Sequence, residues 1–385
     1  MFLVLVVVDV AALVWLLVSF RGGVLGSAYR MDLDVYRVAV EVWWRGGDLY
    51  GELPRLQNGW HLPYLYPPVA VVVLAPFALV PFWLASAVFV LVTVAAVALV
   101  VWVVLRALEV RPTPLLVGAL LPLALALEPV RETLYFGQIN AVLMALVVAD
   151  CLVRTPRWPR GLLVGIAAAV KLTPAVFVLF FLLRGDRRAA LTAGLAFLGA
   201  TAIGFLVSWS NSVRFWTHEV FYSSQFRGMS NEMNQSLKAA LMRFEVDPKV
   251  LWPLLAVAVL AVTALGMRRA AGRPVWALGL NALGALLISP VSYSHHWGWV
   301  VPILLAGAVY ARRPIVAVAV GAAALVFALA PHWWWDPDTP WHAWRLLTGN
   351  AYVWTAVIVL AVAALPRRAP AAVDVKDVAA PKSAV

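Results

Sequence analysis

The chain has 385 residues, of which 63% are hydrophobic and 13% charged, and its mean hydropathy is +0.87. This composition excludes a soluble globular domain. The net charge of +11 does not indicate nucleic-acid binding, because the arginines stand in short clusters between apolar runs and form no single basic face. The only cysteine, Cys151, has no partner for a disulfide or for a thiolate metal site.

Apolar runs that are long enough to cross about 30 Å of hydrocarbon recur along the chain, and the positive-inside rule places the arginine clusters between them in the cytoplasm. The first run has neither a basic start nor a cleavage site, which predicts an uncleaved span. We therefore expect an all-α, multi-pass protein of the plasma membrane with both termini in the cytoplasm. About ten spans are predicted near residues 3–20, 82–105, 114–128, 138–153, 189–208, 250–266, 276–290, 299–311, 315–330 and 351–365.

These spans predict one transmembrane domain over residues 1–366 and a disordered cytoplasmic tail over 367–385, which is rich in Ala, Val, Lys and Pro. The first extracytoplasmic loop is expected over about 21–68. It contains Met31-Asp32-Leu33-Asp34-Val35-Tyr36, where a carboxylate at the membrane interface could accept a proton from a hydroxyl nucleophile. Asp32 and Asp34 stand two positions apart, so they do not form one pair on a helix face. The alternative is two solvated loop acids or a helix cap.

Two apolar segments do not fit the simple count of spans. Residues 69–80 follow Tyr66-Pro67-Pro68 and are too short to cross, which predicts an interfacial or dipping helix. Residues 161–183 lie between two arginine clusters, and Lys171-Leu172-Thr173-Pro174 stands at their centre. This predicts a helix that is broken by proline and returns to the side it entered from. Lys171 is either a snorkelling cation or a functional counter-ion, for which a lipid phosphate is the natural partner.

Uncharged amides occur in two further motifs. In Gly137-Gln138-Ile139-Asn140 the amides open an apolar span, where they indicate recognition of hydroxyl groups such as those of a sugar. They could instead cap the helix or bind it to a neighbour. Asn234-Gln235-Ser236 precedes the amphipathic stretch 237–244, which is predicted to lie along the interface; here too a simple cap is the alternative.

The last motif contains two adjacent histidines and is too polar to face lipid. Its sequence is Ser289-Pro290-Val291-Ser292-Tyr293-Ser294-His295-His296-Trp297. Neighbouring residues of a helix point about 100° apart, and no third ligand stands nearby, so the sequence does not predict a metal site. We expect a histidine to contact a phosphate or a sugar. An interfacial aromatic belt would account for Trp297 but not for the histidines.

Taken in order, these motifs resemble the actinobacterial polyprenol-phosphate-mannose-dependent α-1,2-mannosyltransferases, membrane enzymes with the GT-C fold that include an enzyme of late phosphatidylinositol mannoside synthesis. Each motif alone is weak, but the ordered set is specific and covers residues 1 to about 365. The resemblance implies that Asp32 is the catalytic carboxylate, with Asp34 at the variable position as second choice, and that His296 takes part in catalysis. It implicates His295 and His296 in binding the donor or the acceptor, and the chemistry of the motifs predicts substrate contacts for Tyr66, Gln138, Asn140, Lys171, Asn234, Gln235 and Trp297.

The reaction implied by the resemblance is an inverting transfer of mannose from polyprenol-phosphate-mannose to the 2-hydroxyl of a mannoside acceptor, on the extracytoplasmic face. The acceptor would be a phosphatidylinositol mannoside or a lipomannan. No cofactor is expected if protein cations offset the charge of the departing phosphate. The sequence does not decide whether a divalent ion takes part. Two other functions are compatible with the residues: a transporter or flippase for a lipid-linked solute, and a ligase that moves a whole glycan from a lipid carrier.

Overall fold

The computed structural model describes residues 29–222 and 230–366, and within these ranges the regular structure is helical. The predicted first span over 3–20 and the tail over 367–385 lie outside the described residues. The helices used below are, in chain order, α1 (Met31–Trp44), α2 (Val69–Ala78), α3 (Phe82–Ala107), α4 (Pro114–Ala126), α5 (Glu128–Phe136), α6 (Asn140–Leu152), α7 (Leu162–Val170), α8 (Val178–Leu183), α9 (Arg187–Val207), α10 (Trp209–Arg214), α11 (Leu237–Arg243), α12 (Pro248–Arg269), α13 (Pro274–Ile288), α14 (Val300–Tyr310), α15 (Pro314–Leu329), α16 (Ala343–Gly349) and α17 (Ala351–Ala364).

Four segments of the described chain are long and apolar enough to cross a membrane: α3, α9, α12 and Pro314–Trp333, which contains α15. Two bent pairs, α4 with α5 and α16 with α17, raise the number to six if each pair counts as one span. The protein is therefore a multi-pass membrane protein. The larger count of about ten includes helices such as α6 and α13, which have 13 and 15 residues. At 1.5 Å per residue such helices are about 20 Å long, less than the full hydrocarbon thickness.

The segment over 161–183 has the broken, returning path that its sequence predicts. Helix α7 ends at Val170, Lys171 has extended backbone angles, and a 3₁₀ turn over Thr173–Phe177 leads into α8. Arg160, before the segment, and Arg184, after it, line the same cavity, so the chain comes back to the end at which it entered. Lys171 consequently lies at the tip of a helical hairpin.

Glycines allow this hairpin to pack closely against α9. A Cβ atom added to Gly161 would lie 2.0 Å from the carbonyl oxygen of Ala189, and one added to Gly165 would lie 2.3 Å from that of Ala193. Only glycine permits this backbone approach. Helix α9 in turn presents leucines such as Leu206 outward, as expected of a lipid-facing helix.

The described part of the predicted loop over 21–68 contains the helix α1, whose first turn carries both candidate carboxylates. Arg30 stands just before it and is fully buried. Its Nε donates to the Ser86 hydroxyl at 2.7 Å, and its guanidinium also donates to the carbonyl oxygen of Leu134. Arg30 thereby holds the start of α1 against α3 and α5. The predicted short helix over 69–80 is present as α2, whose ten residues are too few to span.

Candidate active site

Asp32 is joined to residues far along the chain by the side chain of Gln138. Gly137 ends α5 in a left-handed conformation (φ 73°), and this turn directs Gln138 toward α1. The Gln138 amide nitrogen donates to the Asp32 carboxylate. Its amide oxygen accepts hydrogen bonds from the hydroxyl groups of Tyr36 at 3.1 Å and of Tyr66 at 3.0 Å. The amide oxygen and nitrogen of Gln138 are therefore both engaged at the start of α1.

Lys171 continues the same set of contacts on the other side of Tyr66. Its ammonium group lies 3.3 Å from the Tyr66 hydroxyl, 2.8 Å from the Asn140 side-chain oxygen and 3.4 Å from Nε2 of His296. An ammonium group can only donate, so Nε2 of His296 is the acceptor and the imidazole is neutral in this arrangement. The result is one polar network, which comprises Asp32, Tyr36, Tyr66, Gln138, Asn140, Lys171 and His296.

The carboxylate of Asp32 is half-buried, and this changes its acidity. Burial raises the pKa of Asp32 to about 6, while the hydrogen bond from Gln138 and the positive charge of Lys171 limit the rise. A carboxylate with such a pKa is still mostly ionised at neutral pH and is a stronger base than an ordinary aspartate. The site thus combines a base at one end with a cation at the other.

His295 is fixed through its backbone, whereas its ring is left unpaired. The carbonyl oxygen of His295 accepts hydrogen bonds from Thr133 Oγ1 at 3.1 Å and from the Asn140 amide at 3.3 Å. Its ring packs against Phe136 and His296. Among the described residues neither ring nitrogen has a hydrogen-bond partner, although the side chain is buried. Unpaired buried nitrogens are costly, and a bound ligand could satisfy them.

Asp34, the second-choice carboxylate, is placed apart from the network. It is buried and accepts hydrogen bonds from the Tyr29 hydroxyl at 2.9 Å and from the backbone and side chain of Gln57 at 2.8 and 3.3 Å. These contacts tie α1 to the loop that follows it. The geometry therefore assigns different environments to the two carboxylates and leaves Asp32 as the one beside the lysine and the histidines.

Three other predicted site residues support the histidine segment from outside the network: Asn234 and Gln235 contact it, and Trp297 belongs to it. The side-chain oxygen of Asn234 accepts from the backbone N–H of Ser292 at 2.9 Å, and the backbone N–H of Gln235 donates to the carbonyl of Ser292 at 2.8 Å. The Gln235 amide donates to the Gly349 carbonyl. Trp297 is fully buried and packs against aromatic rings of α15 and α17. The structure thus gives Asn234, Gln235 and Trp297 supporting contacts and does not bring them to the polar network.

Ser236 caps α11 through a hydrogen bond from Ala239 N at 3.1 Å, in agreement with the capping interpretation of this motif. Its hydroxyl also donates to the carbonyl of Pro290 at 3.1 Å. The motif over 234–236 therefore holds the segment that carries the histidines.

A cavity of about 320 Å³ adjoins the network, and its walls are mainly apolar. Asn140 and His296 contribute polar groups to it, and Met144, Phe177 and Leu286 are among its apolar residues. A volume of this size accommodates a small ligand or part of a larger one. A ligand whose polar group binds at Lys171 could therefore place an apolar chain in this site cavity.

Sequence reasoning did not single out several residues that build the site. In the sequence Tyr36 is only one member of the motif over 31–36, although its hydroxyl donates to Gln138 and lies 2.8 Å from the Tyr66 hydroxyl. Thr133 supports His295, and its position within α5 gives no sequence signal for this role. Glu128 is fully buried at the start of α5. An acid that directly follows the apolar run 114–127 is a signal that could have indicated it.

A half-buried carboxylate, a lysine and two adjacent histidines, one of which has ring nitrogens that the described residues leave unpaired, lie beside a cavity in an apolar helical bundle. This combination is typical of a membrane-embedded enzyme. The chain belongs to glycosyltransferase family 87, whose family model matches residues 64–290. This membership confirms the resemblance drawn from the ordered motifs and favours the enzyme over the transporter alternative. No solved structure matches the chain.

Relatives from mycobacteria cover nearly the whole sequence. A polyprenol-phosphate-mannose-dependent α-(1-2)-phosphatidylinositol mannoside mannosyltransferase of Mycolicibacterium smegmatis is 39% identical, over 88% of this chain and 84% of its own. The protein of the same description from Mycobacterium tuberculosis is 38% identical, over 92% and 90%. A phosphatidylinositol pentamannoside mannosyltransferase of M. smegmatis is 31% identical, over 95% and 91%.

Proposed function

We propose that this protein transfers mannose from polyprenol-phosphate-mannose to the 2-hydroxyl of a mannoside acceptor of the phosphatidylinositol mannoside or lipomannan type. The relatives with these activities match along almost the full chain. The observation that carries the proposal is the hydrogen-bonded path from Asp32 through Gln138 and Tyr66 to Lys171, beside an apolar cavity. It provides a base, a cation and room for part of a prenyl chain within one site.

Asp32 acts as the general base in this proposal. The donor is a β-linked phosphodiester and the product an α-mannoside, so the transfer is a single displacement with inversion. The 2-oxygen of the acceptor bonds to the anomeric carbon while the bond from that carbon to the phosphate oxygen breaks, and its electron pair leaves with the polyprenyl phosphate. The hydroxyl proton passes to the carboxylate of Asp32. The Gln138 hydrogen bond keeps this carboxylate oriented toward the network.

Lys171 stabilises the departing phosphate. Its ammonium group contacts Asn140 and His296, and both of these residues line the site cavity. A fixed cation in a site shielded from water stabilises developing negative charge far more than it would in solution. Lys171 supplies the positive charge that a divalent ion would otherwise bring. The free ring nitrogens of His295 are available to sugar hydroxyl groups.

The site belongs on the extracytoplasmic side in this proposal, in a GT-C fold of about ten spans. Helices α6 and α7 begin or end at the network with Asn140 and Val170, and their other ends lie beside Arg154 and Arg160. The positive-inside rule assigns the arginine-rich end to the cytoplasm, which leaves the network near the outer face. The donor's lipid chain can then enter from the membrane between helices.

The direct test is mannose transfer by the purified protein in nanodiscs, supplied with radiolabelled polyprenol-phosphate-mannose. The acceptors are phosphatidylinositol mannosides of increasing mannose number and lipomannan, and products are digested with an α-1,2-specific mannosidase. We expect a labelled product that this mannosidase cleaves, and equal transfer with and without a chelator. A folded protein that transfers to none of these acceptors, or that forms a resistant linkage, contradicts the proposal. Loss of transfer in chelator contradicts the role given to Lys171.

A further inference from the structure

Three arginines line a second cavity, at the end of the bundle opposite the active site. This arginine cavity has a volume of about 420 Å³ and opens where α6 and α8 end and α13 begins. The guanidinium-bearing residues are Arg154, Arg160 and Arg184, and the aromatic rings of Phe180 and Phe181 also line it. The 13 residues of α6 separate this cavity from Asn140, a distance of about 20 Å at the rise of an α-helix. It is therefore a separate site.

Arg160 forms a fixed part of the cavity wall. Its guanidinium donates to the carbonyl oxygens of Asp150 at 3.1 Å, of Val153 at 2.8 Å and of Arg154 at 3.1 Å. These are carbonyls at the end of α6, so the arginine caps the helix as well as bringing charge to the cavity. Its side chain is held in place before any ligand binds.

Arg154 and Arg184 are exposed and keep donors that the described contacts do not use. One guanidinium nitrogen of Arg184 donates to the carbonyl oxygen of Ala271 at 2.8 Å, and the guanidinium group lies over the Phe180 ring. Arg154 donates through one nitrogen to Glu109 at 2.6 Å. Asp186 is the one carboxylate among the lining residues, and it caps α9 by accepting from Ala189 N. Three guanidinium groups line the cavity against the carboxylate of Asp186, and Glu109 offsets part of the charge of Arg154, so an excess of positive charge remains.

We propose that the arginine cavity binds the phosphate headgroup of an anionic phospholipid. Guanidinium groups match the oxygens of a phosphate, and basic pockets between spanning helices on the cytoplasmic side are suited to such headgroups. The apolar surface continues directly from the cavity, because Leu182 beside Phe181 is exposed and faces outward from α8. A lipid can thus place its phosphate on the arginines and its acyl chains along the hairpin.

The lipid would join elements that are separate in sequence. The cavity walls come from α6, from the returning limb of the hairpin and from the start of α13. A ligand that binds only the folded arrangement of these elements raises the temperature of unfolding by mass action. Its binding needs neither the donor nor the acceptor of the transfer reaction, so it can be measured apart from the activity.

The experiment measures thermal unfolding of the full-length protein in a neutral detergent, with added phosphatidylglycerol, phosphatidylcholine or inorganic phosphate at equal concentration. We expect phosphatidylglycerol to raise the midpoint by about 5 °C at saturation. The other two additions should have a much smaller effect. An equal rise with phosphatidylcholine contradicts recognition of an anionic headgroup. An equal rise with inorganic phosphate assigns the cavity to free phosphate and contradicts the lipid.

Two matched variants locate the effect. Arg154→Gln with Arg184→Gln should abolish the rise, whereas Arg312→Gln with Arg313→Gln should keep it, since this second pair is exposed between α14 and α15 and does not line the cavity. Equal loss in both double variants would show general attraction to the basic surface and overturn the site. If the first double variant does not fold, Arg154→Gln alone must reduce the rise, and an unchanged rise again overturns the proposal.

Discussion

The carboxylate of Asp32 accepts a hydrogen bond from the side-chain amide of Gln138, a residue 106 positions further along the chain. The left-handed turn at Gly137 makes this contact possible, and a Cβ atom there would lie 2.9 Å from Cβ of Leu33. The turn and the helix α1 therefore meet with almost no space between them. This contact connects the first candidate motif to the polar residues of α5 and α6.

The first prediction concerns the pH dependence of transfer. Since the pKa of Asp32 is about 6 and the base must be ionised, kcat/KM should fall as the pH drops through about 6. Gln138 donates to the ionised carboxylate, so Gln138→Leu should raise the pKa of Asp32 and move this acid limb to higher pH. The measurement is kcat/KM between about pH 5 and pH 8.

Gln57→Leu is the matched control for this shift, because Gln57 is exposed and its amide donates to Asp34 instead of Asp32. Its acid limb should coincide with that of the wild type. An acid limb in Gln138→Leu that also coincides with the wild type would contradict the assigned role of the hydrogen bond.

The second prediction concerns Lys171. Lys171→Met keeps most of the side-chain volume but removes the cation, so kcat/KM for the donor should fall by about 100-fold. Lys249→Met, in which an exposed lysine at the start of α12 is changed, should leave transfer unaltered. Both variants are assayed over a range of polyprenol-phosphate-mannose concentrations. Unchanged donor kinetics in Lys171→Met would mean that the lysine only holds Asn140 and Tyr66 in place.

The third prediction concerns stability at Glu128. This buried carboxylate accepts hydrogen bonds from Trp333 Nε1 and from the Tyr352 hydroxyl, each at 2.8 Å, and lies 3.5 Å from Nε2 of His332. Glu128→Ala removes the acceptor of both donors, and the loss at the buried Tyr352 hydroxyl alone should cost about 1–3 kcal/mol. Glu128→Gln retains an acceptor and should destabilise less. Equal midpoints of thermal unfolding for the two variants would contradict this order.

The fourth prediction tests the packing of the hairpin against α9. Gly165→Ala places a Cβ atom 2.3 Å from the carbonyl oxygen of Ala193, and the resulting overpacking should cost about 2 kcal/mol. Gly194→Ala on the facing helix meets no atom within 4 Å and should be neutral or slightly stabilising. Thermal unfolding of both variants in detergent distinguishes them. A normal midpoint for Gly165→Ala would mean that the two helices are not in close contact.

The sequence was sufficient to predict the break at Lys171, because a lysine and a proline within an apolar segment leave few other arrangements. It also placed Asp32, Gln138, Asn140 and Lys171 among the site residues, and these side chains do form one network. The roles of these residues stay predictions until they are tested. The count of about ten spans was less secure, since short helices such as α6 give no unambiguous signal of crossing.

The contacts that hold the histidine segment in place could not be predicted from the sequence, because they join residues that are far apart in the chain. Glu128 and Tyr352 are 224 positions apart, and the contact of the Asn234 side chain with the Ser292 backbone spans 58 positions. Local patterns carry no information about such pairs. Asn234 and Gln235 were therefore expected to contact substrate, whereas in the structure they fix the segment that carries His295.

The measurement that tests the central claim most directly is the rate of mannose transfer by Asp32→Asn, compared with wild type and with Asp34→Asn at equal amounts of folded protein. Asp32→Asn should lose about a thousandfold in turnover and keep a normal unfolding midpoint, because the amide retains the shape but cannot take the proton. Asp34→Asn should lower the midpoint and keep its turnover per folded molecule, since Asp34 accepts a hydrogen bond from the loop at Gln57. Near-normal turnover by folded Asp32→Asn would contradict the assignment of Asp32 as the base.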